Sequence, residues 1–398
     1  MSVRDDPGTA ITTADDLADL GDAAGMLDRP SVGFYSSPAW LSACAELCSE
    51  PQRFLVARDG GRPVLTLPFT VPTDESNSGY RPTTHYPFRA EEPYLLLGPR
   101  RGYRSHWAAE PGPAGPAALQ YAARLAAEHG RAWVYALYLT TATADLLAAG
   151  AEGAPPVVPS LSAAPDCFLP APGGGMDDYL AGLAPRRRAE LRAEHRRVLR
   201  VPGIGFRLGR LADDADALAP LLLESLARHG TQRTLDDVRF ELDVLARHAG
   251  DLETLLVVEE HGRPVGFNLC YEWGGRLWGR HIAVVDRLRT SATPILLHLQ
   301  FRWALERCYE RGLDGVHLGP TNLATKLRRG ARLEPLWHVG ICKGREVLRP
   351  EGVRHQTEEV IRIIEAQCGG YAPAEDLAAM RAKALGFAVE TAPTRTLR

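Results

Sequence analysis

"EEHGRPVGFNLCYEW", Glu259 to Trp273, reads as the end of one strand, a tight turn and the return strand. "TLLVVEE" before it is apolar and rich in β-branched residues, His-Gly marks the turn, and "PVGFNLCYEW" carries the chain back. The same phrase stands earlier as "ARDGGRPVLTLPFTV", Ala57 to Val71, where the glycine before the arginine is Gly61 rather than Gly262, an offset of 262 − 61 = 201. Both copies predict β-hairpins. Downstream, "LQYAARLAAEHGRAWVYALYL" from Leu119 and "LQFRWALERCYERGLDGVHLG" from Leu299 each predict a helix, a glycine stop at Gly130 or Gly312, and a strand. That offset is 312 − 130 = 182, so the first copy carries a longer middle, 72–116, whose Pro, Gly and Arg content predicts loop. Two matched elements in the same order point to an internal duplication.

The bulk numbers agree with two domains. The chain has 398 residues, 45% hydrophobic and 24% charged, with a formal net charge of −3. That balance gives no global attraction to polyanions, so no DNA partner is expected and any nucleic-acid contact must be local. No run of about 18 apolar residues predicts a membrane span, and the start lacks a secretory pattern, so a cytoplasmic protein is expected. The seven cysteines are odd in number and form no CxxC pair. Reduced thiols and no metal site are expected. "GAEGAPPVVPSLSAAPDCFLPAPGGG", ending at Gly175, reads as a linker, and the tail predicts two helices near 356–367 and 374–385.

Helices, a hairpin with a longer return strand, a helix and a further strand, twice over, resemble the acyltransferase fold of the GNAT superfamily. "LAPRRRAELRAEHRRVL", "EEHGRPVGFNLCYEWGGRLWGRHIAVVDRLR" and "TPILLHLQFRWALERCYERGLDGVHLGPTNLATKLRRGA", with "FYSSPAWL" and "EEPYLLLGPRRG" in the first half, resemble the double-GNAT group. That group holds the Fem-type aminoacyltransferases and related biosynthetic N-acyltransferases. The resemblance spans about residues 30–345. It implies an α/β (α+β) fold of two tandem GNAT-like domains with mixed, splayed central sheets and a helical C-terminal tail. The expected boundaries are an N-terminal extension 1–29, a first domain 30–170, a second domain 171–345 with the donor site, and a tail 346–398.

The resemblance also implies amide formation by transfer of an acyl or aminoacyl group to an amine. In ordinary GNAT enzymes a glycine-rich turn before the helix holds the coenzyme A pyrophosphate. The corresponding "AVVDRLRTSATPILL", Ala283 to Leu297, has no glycine. The expected donor is therefore an aminoacyl-tRNA or a carrier-protein thioester, in preference to a coenzyme A thioester, with no tightly bound cofactor. Arg287, Arg289 and Thr293, the last expected as helix N-cap, are candidates for an anionic donor. So are Arg188, Arg192 and Arg196, spaced i, i+4 on a helix where 186–200 holds seven Arg and two Glu. Arg100, Arg101 and Arg104 form a second basic cluster. The acceptor is expected to be a small molecule or a cell-wall precursor. A coenzyme A-dependent N-acetyltransferase and a non-catalytic protein binding tRNA or a partner are the alternatives.

Amide formation needs a base for the amine, stabilisation of the oxyanion and a proton for the leaving group. Lys326, in the Gly319-to-Lys326 motif, is implied by the resemblance as the stabilising cation, and its charge is expected to be exposed. His281 is a candidate base because histidine titrates near neutrality. Glu272 and Tyr271 on the return strand are further catalytic candidates. Arg228 and His229, in the "ARHGTQRT" loop, and Asn268, Arg280, Asp286, His317 and Asn322 are expected around the substrate. The chemistry-capable Asn268, Glu272, His281 and Lys326 follow only the second Arg-Pro-Val, which is itself scaffold.

Overall fold

The computed structural model describes residues 3–4, 9–73, 75, 77–86, 92–149, 157–342, 345–346 and 350–390. The duplicated phrase folds the same way twice. The hairpin Arg53–Asp59/Arg62–Thr70 turns at Gly60 and Gly61, with φ of 54° and 88°. The hairpin Glu253–Glu260/Arg263–Trp273 turns at His261 and Gly262, with φ of 52° and 77°. Two consecutive left-handed residues match the twist of paired strands, and glycine adopts them at least cost. The proline then does its work. Arg58 pairs with Pro63 and Ala57 with Leu65, leaving Val64 as an extra residue. Glu259 pairs with Pro264 and Val258 with Gly266, leaving Val265. A residue without an N–H is tolerated in a ladder at such a bulge. Arg-Pro-Val thus writes a bulge at its valine, two ladder pairs past the turn, in each half.

The chain divides into two compact units, residues 1–166 with 333–398, and residues 167–332. These limits differ from the boundaries read in the sequence. The expected 1–29 extension contributes a strand, Thr9–Ala14, paired along Arg53–Asp59. Residues 337–342, placed by sequence within the second domain, form the strand Trp337–Cys342 and pair with Trp133–Leu139 of the first unit. Strand pairing over long sequence separation has no local signature, which is why the boundary at 345 moves to 332. Of the expected linker, residues 150–156 lie outside the described residues.

In the first unit the strand path runs Val3–Arg4, Thr9–Ala14, Arg53–Asp59, Arg62–Thr70, Tyr94–Leu97, Trp133–Leu139, Trp337–Cys342 and Arg345–Glu346. Tyr94–Leu97 and Trp133–Ala136 are parallel, and the other pairs are antiparallel. Helix Ala114–Glu128 ends in a left-handed Gly130, as its sequence predicts. The tail folds as helices Pro350–Cys368 and Ala374–Glu390. The basic cluster of this half is internal. Arg100 is buried between Glu50 (2.6 Å) and Glu75 (2.7 Å), and Arg104 pairs with Asp166 at 3.2 Å. Burial raises the Glu50 carboxyl, but the Arg100 guanidinium outweighs it and holds the group down at about 2. Neither arginine offers a phosphate site.

In the second unit the strands lie in the order Ile204–Gly209, Glu253–Glu260, Arg263–Trp273, Arg276–Val284, Gly315–His317 and Asp166–Pro170. The parallel pair is Arg276–Val284 with Gly315–His317, and it is short: Leu277 with Val316 and Trp278 with His317. Past Trp278 no further pairing joins these strands among the described residues. The sheet is mixed and opens there, in the splayed form expected. Helices Leu211–Arg228 and Leu235–Ala249 pack beside it. The second begins in a capping box between Thr234 and Asp237. A helical segment, Ile295–Arg311, contains a π-turn at His298–Trp303 and stops at left-handed Gly312.

Candidate active site

Adjacent residues in a strand normally face opposite sides of the sheet. Arg280 and His281 do not. Leu269 pairs with His281 but Cys270 pairs with Gly279, so Arg280 is the extra residue of a bulge. The bulge lies directly after the last parallel pair, at the mouth of the gap. It lets both side chains converge on one carboxylate, Glu241 of helix Leu235–Ala249. His281 Nε2 and Arg280 Nη2 each lie 2.9 Å from its Oε1, and Arg233, in the loop between the two long helices, pairs with its Oε2. Arg233 is fixed in turn by donating to the Asp237 carbonyl at 2.6 Å.

The electrostatics follow from this packing. Burial opposes the charge on Glu241, whose side chain is 2% exposed. The His281 hydrogen bond and the nearby positive charges outweigh it and hold the carboxyl well below its ordinary range. Burial, then the Arg280 charge, push His281 below the ordinary histidine value, against the pull of Glu241. Near neutral pH the cluster is an ionised carboxylate between two guanidiniums, with a neutral imidazole donating from Nε2. The other ring nitrogen, Nδ1, then carries a lone pair able to take a proton.

Lys326 stands at the other edge of the gap, and it is buried, 1% exposed. Its Nζ donates to the carbonyls of Leu318 (2.7 Å) and Gly319 (2.6 Å), just past the end of Gly315–His317. The exposed ammonium expected from the motif is corrected: Leu323, Lys326 and Leu327 form the inward face of a short helix. Asn322 precedes it in a left-handed conformation, exposed and without a side-chain cap bond.

Other candidates lie elsewhere. Glu272 accepts from Thr254 (2.8 Å), Arg307 (2.9 Å) and Arg311 (2.9 Å), which tie the strand to helix Ala304–Arg311. Burial raises its carboxyl, but these partners outweigh it and lower it, so it is a clamp. Tyr271 is fully buried in the core. Asn268 donates to the Leu299 carbonyl inside the π-turn at 2.9 Å. His317 is fully buried, stacked on Trp278 at 4.0 Å with Arg276 3.2 Å from its Nε2. Arg228 pairs with Asp286 at 3.2 Å and with Glu224 at 2.8 Å, while His229 is exposed beside it.

The donor candidates are largely occupied. Arg287 pairs with Glu260 (2.5 Å) and Arg289 with Asp286 (3.4 Å). Thr293 is not the N-cap: its hydroxyl donates to the Arg287 carbonyl at 2.8 Å, and Pro294 occupies the cap position. Arg188 turns inward to the Leu183 carbonyl at 3.3 Å, whereas Arg192 and Arg196 are exposed. The three therefore do not form one outward row.

Sequence reasoning missed Glu241 and Arg233. Glu241 did leave a signal. It lies among Val238, Leu242, Leu245 and Ala249 on the buried stripe of its helix, a charge at a core position, which requires partners.

Residues 185–327 match the family profile described as an acetyltransferase (GNAT) domain. The chain is similar in fold to solved structures of low identity. FemX is 12% identical with a TM-score of 0.54, over 80% of this chain and 95% of that one. A conserved protein of unknown function from Bacteroides thetaiotaomicron is 13% identical with a TM-score of 0.54, over 82% and 98%. A tandem GNAT protein from the clavulanic acid biosynthesis pathway is 14% identical with a TM-score of 0.49, over 85% and 99%. No curated protein matches the chain. No helix among the described residues is long and apolar enough to cross a membrane.

Proposed function

We propose, from the premise that residues 185–327 are an acetyltransferase (GNAT) domain, that the protein is an N-acyltransferase whose base is His281. The observation that carries this reading is the 2.9 Å contact between His281 and the buried Glu241, formed by a bulge beside the sheet's gap. The attacking amine gives a proton to His281 Nδ1 as its nitrogen bonds to the donor carbonyl. The tetrahedral oxyanion collapses, and the imidazolium returns the proton to the leaving oxygen or sulfur. Glu241 fixes the ring and favours its transient positive charge. Lys326 is a positioning residue that holds the Leu318 and Gly319 carbonyls at the gap's edge.

The donor we propose is an acyl or aminoacyl group carried on tRNA or on a carrier protein, with a small molecule or a precursor of larger size as amine acceptor. Support comes from the 283–297 segment. It lacks glycine, so its backbone cannot approach a pyrophosphate as a glycine-rich turn does. Its arginines already hold Glu260 and Asp286.

Transfer to a panel of amines, assayed with aminoacyl-tRNA, a carrier thioester and acetyl-coenzyme A in parallel, tests both parts. The expected result is turnover with the first or second donor, lost in His281→Gln. Turnover with acetyl-coenzyme A alone at micromolar KM would overturn the donor class. Full activity in His281→Gln would overturn the base.

A further inference from the structure

The helix Pro185–Val198 and the strand Ile204–Gly209 leave a surface that the proposed chemistry does not use. The helix carries two carboxylates, and both are taken: Glu190 pairs with Arg187, and Glu194 with Arg329 at 2.9 Å. Arg192, Arg196 and Arg197, with Arg200 just beyond, are exposed and make no ion pair among the described residues. Beside them stand Leu199, 68% exposed, Phe206, 37%, and Leu208, 61%. These are three of the six large hydrophobic side chains exposed among the described residues, so their grouping is not the ordinary scatter of surface leucines.

The apolar residues share a face. Leu199 follows His195 by one helical turn, its amide donating to the His195 carbonyl at 3.1 Å. The His195 ring stacks on His298 at 5.7 Å, and Phe206 lies 5.1 Å from the same His298. Leu208, two residues past Phe206, projects to the same side of its strand. That strand pairs with Glu253–Glu260 and lies at the end of the sheet order, an edge. Arg207 between them turns to the opposite face, to Asp214 and Glu259.

We propose that this face rests on an anionic lipid surface, with Leu199, Phe206 and Leu208 in the acyl boundary and Arg192 and Arg196, on the same side of the helix as Leu199, on headgroup phosphates. Charge complementarity selects the occupant. A second copy docked about a two-fold axis would set the same unpaired arginines against each other. A nucleic acid would use the arginines, but two exposed leucines give its bases no stacking surface. An anionic bilayer uses both kinds of residue at once, and binding in its plane requires no membrane-spanning helix.

Co-sedimentation of the full chain with vesicles tests this. The vesicles are phosphatidylcholine alone, or phosphatidylcholine with 30% phosphatidylglycerol. Binding is expected only to the anionic vesicles, weakening with salt. Arg192→Gln/Arg196→Gln should lower it by roughly fivefold per arginine. Leu199→Gln/Leu208→Gln should lower it at every salt concentration and abolish what remains at 0.5 M salt, where charge is screened. All four side chains are exposed, so unchanged circular dichroism and melting are expected and confirm folding. Equal binding to both vesicles, or none, overturns the proposal. So does a leucine variant that binds as wild type, or tRNA binding that depends on the arginines while vesicle binding does not. Transfer to a soluble amine is expected unchanged in Leu199→Gln/Leu208→Gln, which separates this outcome from failure of the His281 reading.

Discussion

His281 Nε2 lies 2.9 Å from Oε1 of Glu241, and the two residues come from a strand and a helix 40 positions apart. Replacing Glu241 by Gln removes the charge that favours the imidazolium and that pairs two guanidiniums. Transfer should fall by about 10²–10⁴-fold, chiefly in kcat. Stability should also drop, by about 3–5 kcal/mol, because Arg280 and Arg233 lose their buried partner. His281→Gln should lose transfer to a similar degree with a much smaller stability cost, since the neutral ring gives up a single hydrogen bond. Steady-state kinetics beside urea unfolding separates the two variants. Wild-type kcat in either one would remove the pair from the mechanism.

The pH dependence has a definite sign. Burial lowers His281 from its ordinary 6.5, and the neutral ring is the active base. kcat/KM should therefore rise with pH, reach half-maximum below 6.5, and be flat through neutrality. A half-maximum above 7 would point to a different group.

Stability should follow the same direction. Burial first, then His195 and Arg302, hold His298 at about 4, and burial with Arg104 holds His106 at about 4. Their unfolded values stay near 6.5, so between 6.5 and 4 the unfolded chain binds protons that the folded chain refuses. Stability is full above 6.5 and is lost as pH falls toward 4. By pH 5 each residue should cost about 2 kcal/mol. Melting at pH 7.5 and 5.0 checks this. His298→Asn should flatten the slope.

What could be seen in the sequence was local. The two hairpins, the glycine stops at Gly130 and Gly312, and the helix–strand pairs are written in periodicity and turn chemistry. The sequence does not show that Trp337–Cys342 pairs with Trp133–Leu139, because strand partners far apart leave no periodic mark. The same applies to the site. His281 and Arg280 were legible as titratable or charged residues on a strand. Their convergence was not, because it depends on a bulge in register between two strands. Lys326 was read from its motif as a free cation, but its place between Leu323 and Leu327 turns it inward.

Glu272 offers a test of that distinction between reactive and holding groups. Its carboxylate joins Thr254, Arg307 and Arg311. Glu272→Gln should cost about 1–3 kcal/mol in unfolding, the range for a weakened charged hydrogen-bond set. At a temperature where the variant is folded, transfer should stay within about threefold of wild type. A loss beyond 10²-fold in a fully folded Glu272→Gln would return it to the chemistry.

Lys326 separates holding from direct catalysis most sharply. Its ammonium is buried and donates to Leu318 and Gly319. Lys326→Met keeps most of the bulk and removes the donors, leaving two carbonyls short of a partner at about 1–3 kcal/mol each. The loop past Gly315–His317 should then relax, and unfolding should begin at lower urea. Lys326→Arg should also lose stability, because the broad planar guanidinium does not fit a space filled by a compact ammonium. If the lysine only positions the loop, transfer per folded molecule should fall modestly in both variants, with KM changing more than kcat. If it stabilises the oxyanion directly, Lys326→Met should lose about 10²–10³-fold in kcat even under conditions where melting is restored to the wild-type value by a stabilising co-solvent. The expected outcome is the first, since the ammonium faces carbonyl oxygens of its own chain. A stable Lys326→Met with the full kcat loss would instead place the charge at the reacting carbonyl.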